Sequence, residues 1–353
     1  MNKVRVAVLG ATGVIGQRFI QMLEGHPYFE IGGLYASEKS HGKKLGDVLK
    51  VRDFRYSDET LEMNIETLDI NKIAKAARVA FSGIPSDLAG QTETDLANAG
   101  VAVFSNAGAH RMDKDVPILI PEVNAEHLDS VKHQATFGNG GYIVTNANCA
   151  ATGIAPVLKA LNDAYGLQQV FVSTYQALSG AGYPGVPSLD IVGNVVPFIN
   201  GEEEKLESEL GKMLGTYKNK QFSYAGFEVF ANCARVPVID GHLESLTIKM
   251  NSAPSADEIA NVLKKFSGEP QKLKLPSAPK EAIVVRKENN RPQPALDSNA
   301  GEPERARGMA VTAGRIRVTR GYCKMFVLSH NALRGGAGGS ILNAELAKAK
   351  KLL

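Results

Sequence analysis

The sequence predicts an α/β fold: a doubly wound, largely parallel sheet, followed by an α+β second domain with a mainly antiparallel sheet. Three observations point there. The first forty residues read strand, turn, helix, strand. Short apolar runs then alternate with helical stretches to about residue 145, and beyond residue 149 the runs lengthen.

Val4-Arg5-Val6-Ala7-Val8-Leu9 is mostly apolar and stops at Gly10, as expected of a strand covered on both faces. Val14, Ile15, Phe19, Ile20 and Leu23 then fall on one side of a helix, and residues 29–35 form a second strand. Runs at Val79–Ser82, Ala102–Ser105, 118–120 and 142–145, with a helix over 87–99, continue the alternation. A helix over 151–164 leads to a strand at 170–177 and a Gly/Pro-rich loop at 179–187. Residues 243–250, 309–318 and 323–329 read as long strands of the second sheet. The stretch 270–296 holds five prolines and many charges and reads as a surface excursion, whereas 339–353 reads as a helix. The expected division is a first domain over 1–148, a second over 149–330, and a C-terminal helix within 331–353 that returns to the first.

A chain of 353 residues suits two cores, and its 44% hydrophobic and 22% charged content is that of a globular protein. Forty Lys and Arg against 37 Asp and Glu leave a net charge of +3, with no basic block, which argues against a nucleic-acid partner. No apolar run approaches the ~20 residues that span a bilayer, so no membrane association is expected. The N-terminus runs straight into a strand pattern without a signal-peptide core. Three cysteines do not make a disulfide framework, and a reducing cytoplasm fits them best.

Gly10-Ala11-Thr12-Gly13-Val14-Ile15-Gly16 links the first strand to its helix. There Gly10 permits a sharp turn, Gly13 lets a phosphate approach the backbone, and Gly16 lets helix and strand pack closely. The exposed N–H groups of the helix start would face a pyrophosphate, with Gly10, Thr12, Gly13, Val14, Ile15 and Gly16 as the cofactor-binding residues. The tip of the second strand separates NAD from NADP. In place of an acid at the tip, the chain has Ala36-Ser37-Glu38-Lys39-Ser40, then Lys43-Lys44. Hydroxyls of Ser37 and Ser40 with three lysines suit a 2′-phosphate, so NADP is expected, with Glu38 as the residue that must point away.

Cys149 follows a strand and opens a helix in Thr145-Asn146-Ala147-Asn148-Cys149-Ala150-Ala151. A thiol there feels the positive end of the helix dipole, which favours the thiolate. The Asn side chains on its approach, Asn146 and Asn148, can donate to a substrate oxygen. Cys233 and Cys323 sit in apolar segments and read as core. His242, after Gly241 at a strand entrance, is the best candidate base. His41, His127 and His133 read as exposed, His26 as part of a helix-end turn, and His110 and His330 stay open.

These residues resemble the aspartate-semialdehyde dehydrogenases, closest to their archaeal and fungal branch. The resemblance runs nearly end to end. It rests on Gly10-Ala11-Thr12-Gly13, Ser105-Asn106 with Arg111, Pro121-Glu122-Val123-Asn124, Ser179 through Ser188, Arg235-Val236-Pro237 with Gly241-His242, and His330-Asn331 through Gly338. It implies reversible conversion of aspartyl-4-phosphate and NADPH to aspartate semialdehyde, phosphate and NADP, through a thioester on Cys149, in the route to lysine, threonine and methionine. By the same similarity His242 is the acid–base group, Gln176 orients the substrate and Arg235 grips its α-carboxylate. Arg111, Asn106 and Lys205 would form the phosphate pocket, and Glu202, in the family's Glu-x-x-Lys spacing, would meet the ammonium. Ser179, Gly180, Asn331 and Gly335 would lie near the nicotinamide. A homodimer or homotetramer is also implied.

One departure is visible: the family usually has hydroxyl residues after the cysteine, and this chain has Ala150-Ala151. Archaeal malonyl-CoA reductase shares the scaffold and lacks the second hydroxyl, which makes it the alternative activity. Glu202-Lys205 weighs against it, since malonyl-CoA carries no amino group. A non-catalytic NADP-binding regulator would have no use for Cys149, Arg111, Arg235 and His242 together.

Overall fold

The computed structural model describes residues 3–51 and 53–353. Seven strands build the first sheet: β1 (Val4–Leu9), β2 (Phe29–Ala36), β3 (Ile65–Thr67), β4 (Val79–Ser82), β5 (Ala102–Ser105), β6 (Ile118–Leu119) and β7 (Tyr142–Asn146). Their order is β3-β2-β1-β4-β5-β7-β6, and every pairing is parallel. Strand order reverses between β1 and β4, so a crevice opens at their C-terminal ends, where doubly wound folds bind ligands. Helices Val14–Leu23 and Gly338–Ala349 help cover one face, Ile70–Ala76 and Ser86–Asn98 the other.

Next come β8 (Leu167–Gln176), a small hairpin of β9 (Thr216–Lys218) and β10 (Gln221–Ser223), then β11 (Glu228–Arg235), β12 (His242–Met250), β13 (Ile283–Val285), β14 (Val311–Thr319) and β15 (Tyr322–Ser329). Six of these form the second sheet in the order β11-β8-β12-β15-β14-β13. The three central pairings are antiparallel, while both edge strands, β11 and β13, pair in parallel. The sheet is therefore mixed, with an antiparallel centre. One face packs under the Cys149–Tyr165 helix, with Val170, Val172, Leu246, Ile248, Met325 and Val327 in its core.

Two expectations need correction. Residues 270–296 are more than a surface excursion. They supply the edge strand β13, Leu275 and Ala278 join the first-sheet core, and the Ser277 hydroxyl donates to buried Glu345 at 2.6 Å. His127 is buried, not exposed: its Nδ1 meets the Asn124 amide at 3.1 Å and its ring packs on Phe222.

Gly16 shows how tightly the glycine loop closes. A side-chain carbon there would sit 2.0 Å from the Gly10 carbonyl oxygen, a backbone atom that cannot move alone. Gly16→Ala is expected to push the Val14–Leu23 helix off β1, weakening dinucleotide binding and lowering the melting temperature by several degrees. Fluorescence titration with NADPH alongside a thermal melt checks this; unchanged values in both would show that the loop relaxes freely.

Candidate active site

The chain leaves β7 at Asn146 and starts a helix three residues later. Asn148 is its N-cap: Oδ1 accepts from the N–H of Ala150 at 2.9 Å and of Ala151 at 3.2 Å. Cys149 is thus the first helical residue, and Asn148, expected to serve a substrate oxygen, has its carboxamide oxygen committed to the helix start. The methyl groups of Ala150 and Ala151 are fully buried in the second core.

His242 opens β12 and brings Nε2 to 3.2 Å from the Cys149 sulfur. Its Nδ1 accepts the N–H of Ala177 at 3.0 Å, so the neutral ring carries its proton on Nε2, facing the sulfur. The Ala177 carbonyl in turn accepts from Arg235 Nη1 at 2.7 Å. Because β8 and β11 run parallel in register, Gln176 and Arg235 end side by side. Gln176 is buried and its Nε2 has no hydrogen-bond partner, which marks it as a donor awaiting an acceptor. Gly180 backs onto the same group: a carbon added there would lie 2.9 Å from Arg235 Nη1 and 3.1 Å from the His242 ring.

Glu202 begins the Glu202–Met213 helix and is buried; its carboxylate adds to the burial that raises the Cys149 thiol, and only partly offsets the burial that lowers Arg235. Lys205, half-exposed, reaches Glu202 Oε1 at 3.3 Å. Glu202 therefore faces the Cys149 group, while Lys205 pairs with it from a half-exposed position. Arg111 is buried and largely committed: Nη1 donates to Glu209 Oε1 at 2.8 Å, Nε to the Asn146 carbonyl at 3.0 Å and Nη2 to the Asn106 carbonyl at 2.9 Å. Three of a guanidinium's five donors are thereby engaged. Asn106 accepts from Asn146 Nδ2 at 3.1 Å through its own side-chain oxygen.

The glycine loop suits a dinucleotide. Gly10 has φ +78° and Gly13 caps the Val14–Leu23 helix without any side-chain cap, leaving first-turn amides such as those of Val14 and Ile15 for an anion beside Thr12. At the tip of β2, Ser37 is exposed and Ser40 partly so. Lys39, Lys43 and Lys44 are all exposed, and Lys44 pairs with Glu62. The loop after β15 closes over the cysteine. Asn331 Oδ1 accepts the Gly241 N–H and its Nδ2 donates to Ser179 Oγ, both at 2.8 Å, while Gly335 packs against the Cys149 backbone.

The electrostatics overturn one expectation. Burial pushes the Cys149 thiol up to about 12 and Glu202 adds to this; Arg111, Arg235 and the Ala150 N–H pull only partly the other way. Burial, with Arg235 and His330 nearby, pushes His242 down to about 3. The resting pair is therefore thiol and neutral imidazole, because desolvation outweighs the helix start. Alkylation of Cys149 by iodoacetamide in the ligand-free protein should then rise about tenfold per pH unit from 7 to 9.5. A plateau below pH 8, followed by peptide mass spectrometry, would reveal a resting thiolate instead.

Two buried residues escaped the sequence reading: Glu209 and Lys212. Lys212 donates to the carbonyls of Arg111, Asp113 and Val116 at 2.7, 2.8 and 2.9 Å, pinning the segment that carries Arg111. The available signal was helical spacing, since 202, 205, 209 and 212 share one face.

Residues 5–131 match the family model for the NAD binding domain of semialdehyde dehydrogenases, and residues 158–334 match that for their dimerisation domain. The fold is that of a semialdehyde dehydrogenase. Among relatives, the aspartate-semialdehyde dehydrogenase of Archaeoglobus fulgidus is 46% identical over 99% of both chains, and that of Schizosaccharomyces pombe 42% over 99% of this chain and of its own. The crystal structure of the Candida albicans aspartate-semialdehyde dehydrogenase with NADP superposes with a TM-score of 0.88, at 38% identity over 100% of both chains. This chain belongs to the aspartate-semialdehyde dehydrogenases.

Proposed function

We propose that the chain is an NADP-dependent aspartate-semialdehyde dehydrogenase that interconverts L-aspartyl-4-phosphate and L-aspartate 4-semialdehyde through a thioester on Cys149. Its place would be in the synthesis of the aspartate-family amino acids, lysine, threonine and methionine. The observation that carries this is the Cys149 sulfur, 3.2 Å from His242 Nε2 and flanked by buried Arg235, Arg111 and Glu202.

In the oxidative direction the sulfur adds to the aldehyde carbon, and the thiol proton passes to the aldehyde oxygen beside His242 Nε2. The Gly10–Gly16 loop would hold NADP, with Ser37 and Ser40 for its 2′-phosphate, and the bound cofactor would supply the hydride acceptor; the proton on the former aldehyde oxygen is released by way of His242 as the thioester forms. Phosphate then attacks the thioester carbon, the C–S bond breaks, and the proton that hydrogen phosphate gives up restores the Cys149 thiol. Arg235 holds the α-carboxylate, Glu202 the ammonium, and Gln176 orients the carbonyl. Arg111 offers its remaining donors to phosphate, with Asn106 and Lys205. The uncapped helix start fits the dinucleotide. The division at residue 148 belongs to this reading, with the first domain holding cofactor and the second holding substrate.

A homodimer through the outer face of the second sheet completes the proposal. Phe171, Tyr175 and Phe230 stand exposed there, with the Phe171 and Phe230 rings stacked at 5.1 Å. The decisive assay follows nicotinamide absorbance with L-aspartate semialdehyde and NADP or NAD, with and without phosphate, beside malonyl-CoA with NADPH. Phosphate-dependent turnover with NADP is expected. Activity on malonyl-CoA alone would overturn the substrate assignment, and equal rates with NAD would overturn the cofactor preference.

A further inference from the structure

The Glu202–Met213 helix carries a second buried acid two turns beyond Glu202. Glu209 is 2% exposed, and each of its carboxylate oxygens has a partner far away in sequence. Oε1 accepts from Arg111 Nη1 at 2.8 Å, and Oε2 accepts the backbone N–H of Asn148 at 2.8 Å. One carboxylate thus joins the segment bearing Arg111 to the residue that immediately precedes the nucleophile. Neither end is fixed as well by other means. The Asn148 N–H would be an unpaired buried donor without Glu209, and Asn148 in turn caps the helix that Cys149 begins. The Arg111 guanidinium would keep two backbone carbonyls but lose its only charged partner in the described structure.

We propose that Glu209 is a positioning residue for the reaction: it holds the Arg111 guanidinium and the Asn148–Cys149 turn in fixed register, so that the phosphate-facing donors and the sulfur address the same carbon. This rests on the phosphate role of Arg111 proposed above. The bridge needs two acceptors on one planar group. Gln keeps the shape but replaces one oxygen with an NH2, which turns one of the two contacts into donor facing donor. Asp keeps the charge but is one methylene too short to span both partners.

The test compares Glu209→Gln and Glu209→Asp with wild type in the phosphate-dependent assay. Expected for Glu209→Gln is a kcat at least about 30-fold lower, with the KM for semialdehyde within about threefold, since Arg235 and Glu202 grip that substrate independently. Glu209→Asp should recover part of the loss. The double variant Glu209→Gln/Arg111→Gln should lose less than the product of the two single losses, because the acid acts in part through the guanidinium and in part through the Asn148 N–H. A kcat within twofold of wild type, additive losses in the double variant, or a uniform loss of kcat, both KM values and cofactor affinity together would each overturn the inference. Alkylation of Cys149 by iodoacetamide at pH 8 needs no substrate and separates this inference from the proposed activity. An uncompensated Arg111 beside the sulfur should speed it at least about fivefold in Glu209→Gln. An unchanged rate would overturn the positioning role even if wild type proved inactive on the semialdehyde.

Discussion

Cys149→Ala is expected to lower semialdehyde oxidation by at least about 10⁴-fold while NADP still binds with wild-type affinity. Removing a covalent nucleophile takes away the step that the remaining groups only assist, and losses of that order follow in enzymes built this way. Alanine is the right replacement here because it keeps the Cβ against which Gly335 packs, so the loop after β15 is undisturbed. Asn148 also continues to cap the helix through the backbone amides of residues 150 and 151. Only the sulfur and its contact with His242 are lost. Steady-state rates with a parallel NADPH titration check the outcome. Residual turnover above about 1% of wild type would remove the thioester from the mechanism.

Arg235→Ala is expected to raise the KM for aspartate semialdehyde by about 10²-fold or more, with NADP affinity unchanged. A buried guanidinium that meets a carboxylate contributes about 2–5 kcal/mol when one partner is truncated, and each 1.4 kcal/mol is tenfold. A smaller fall in kcat should accompany it. The Ala177 carbonyl would lose the Arg235 donor, and the N–H of the same residue fixes the His242 ring. Arg235→Lys should not restore binding fully, because an ammonium cannot reproduce the planar fork. An unchanged KM in Arg235→Ala would unseat its carboxylate role.

How much of this was legible in the sequence follows from the range of the interactions involved. The Gly10–Gly16 loop is a local device: its turn, helix start and strand lie within a dozen residues, so spacing alone exposes it. β12 was legible because its residues alternate strictly between buried and half-buried. The placement of Cys149 at a helix start was also local. Its protonation was not, since the groups that bury it come from the second sheet and from the return loop after β15. Glu209 was invisible for the same reason: its partners stand 98 and 61 residues away. His127 looked exposed because its sequence neighbours are polar, yet the β9–β10 hairpin brings Phe222 against its ring. The edge strands β11 and β13 were missed as well. An edge strand with one partner carries a weaker apolar signal, as the largely half-exposed pattern of β11 shows.

The Gly338–Ala349 helix has a consequence for how the chain is made. Ile341, Leu342, Ala344, Leu346 and Ala347 sit in the same core as Val6, Phe81, Phe104 and Val144 of the first sheet. The first 146 residues can be synthesised and their strands paired, with the Val14–Leu23 helix over part of one face, but the rest of that face stays uncovered until residues 338–349 have left the ribosome. Through the whole translation of the second domain, at roughly 5–20 residues per second, a nascent parallel sheet with an open apolar face must be kept from sticking to its neighbours. The order of synthesis thus makes the half of the protein that is made first the half that is finished last.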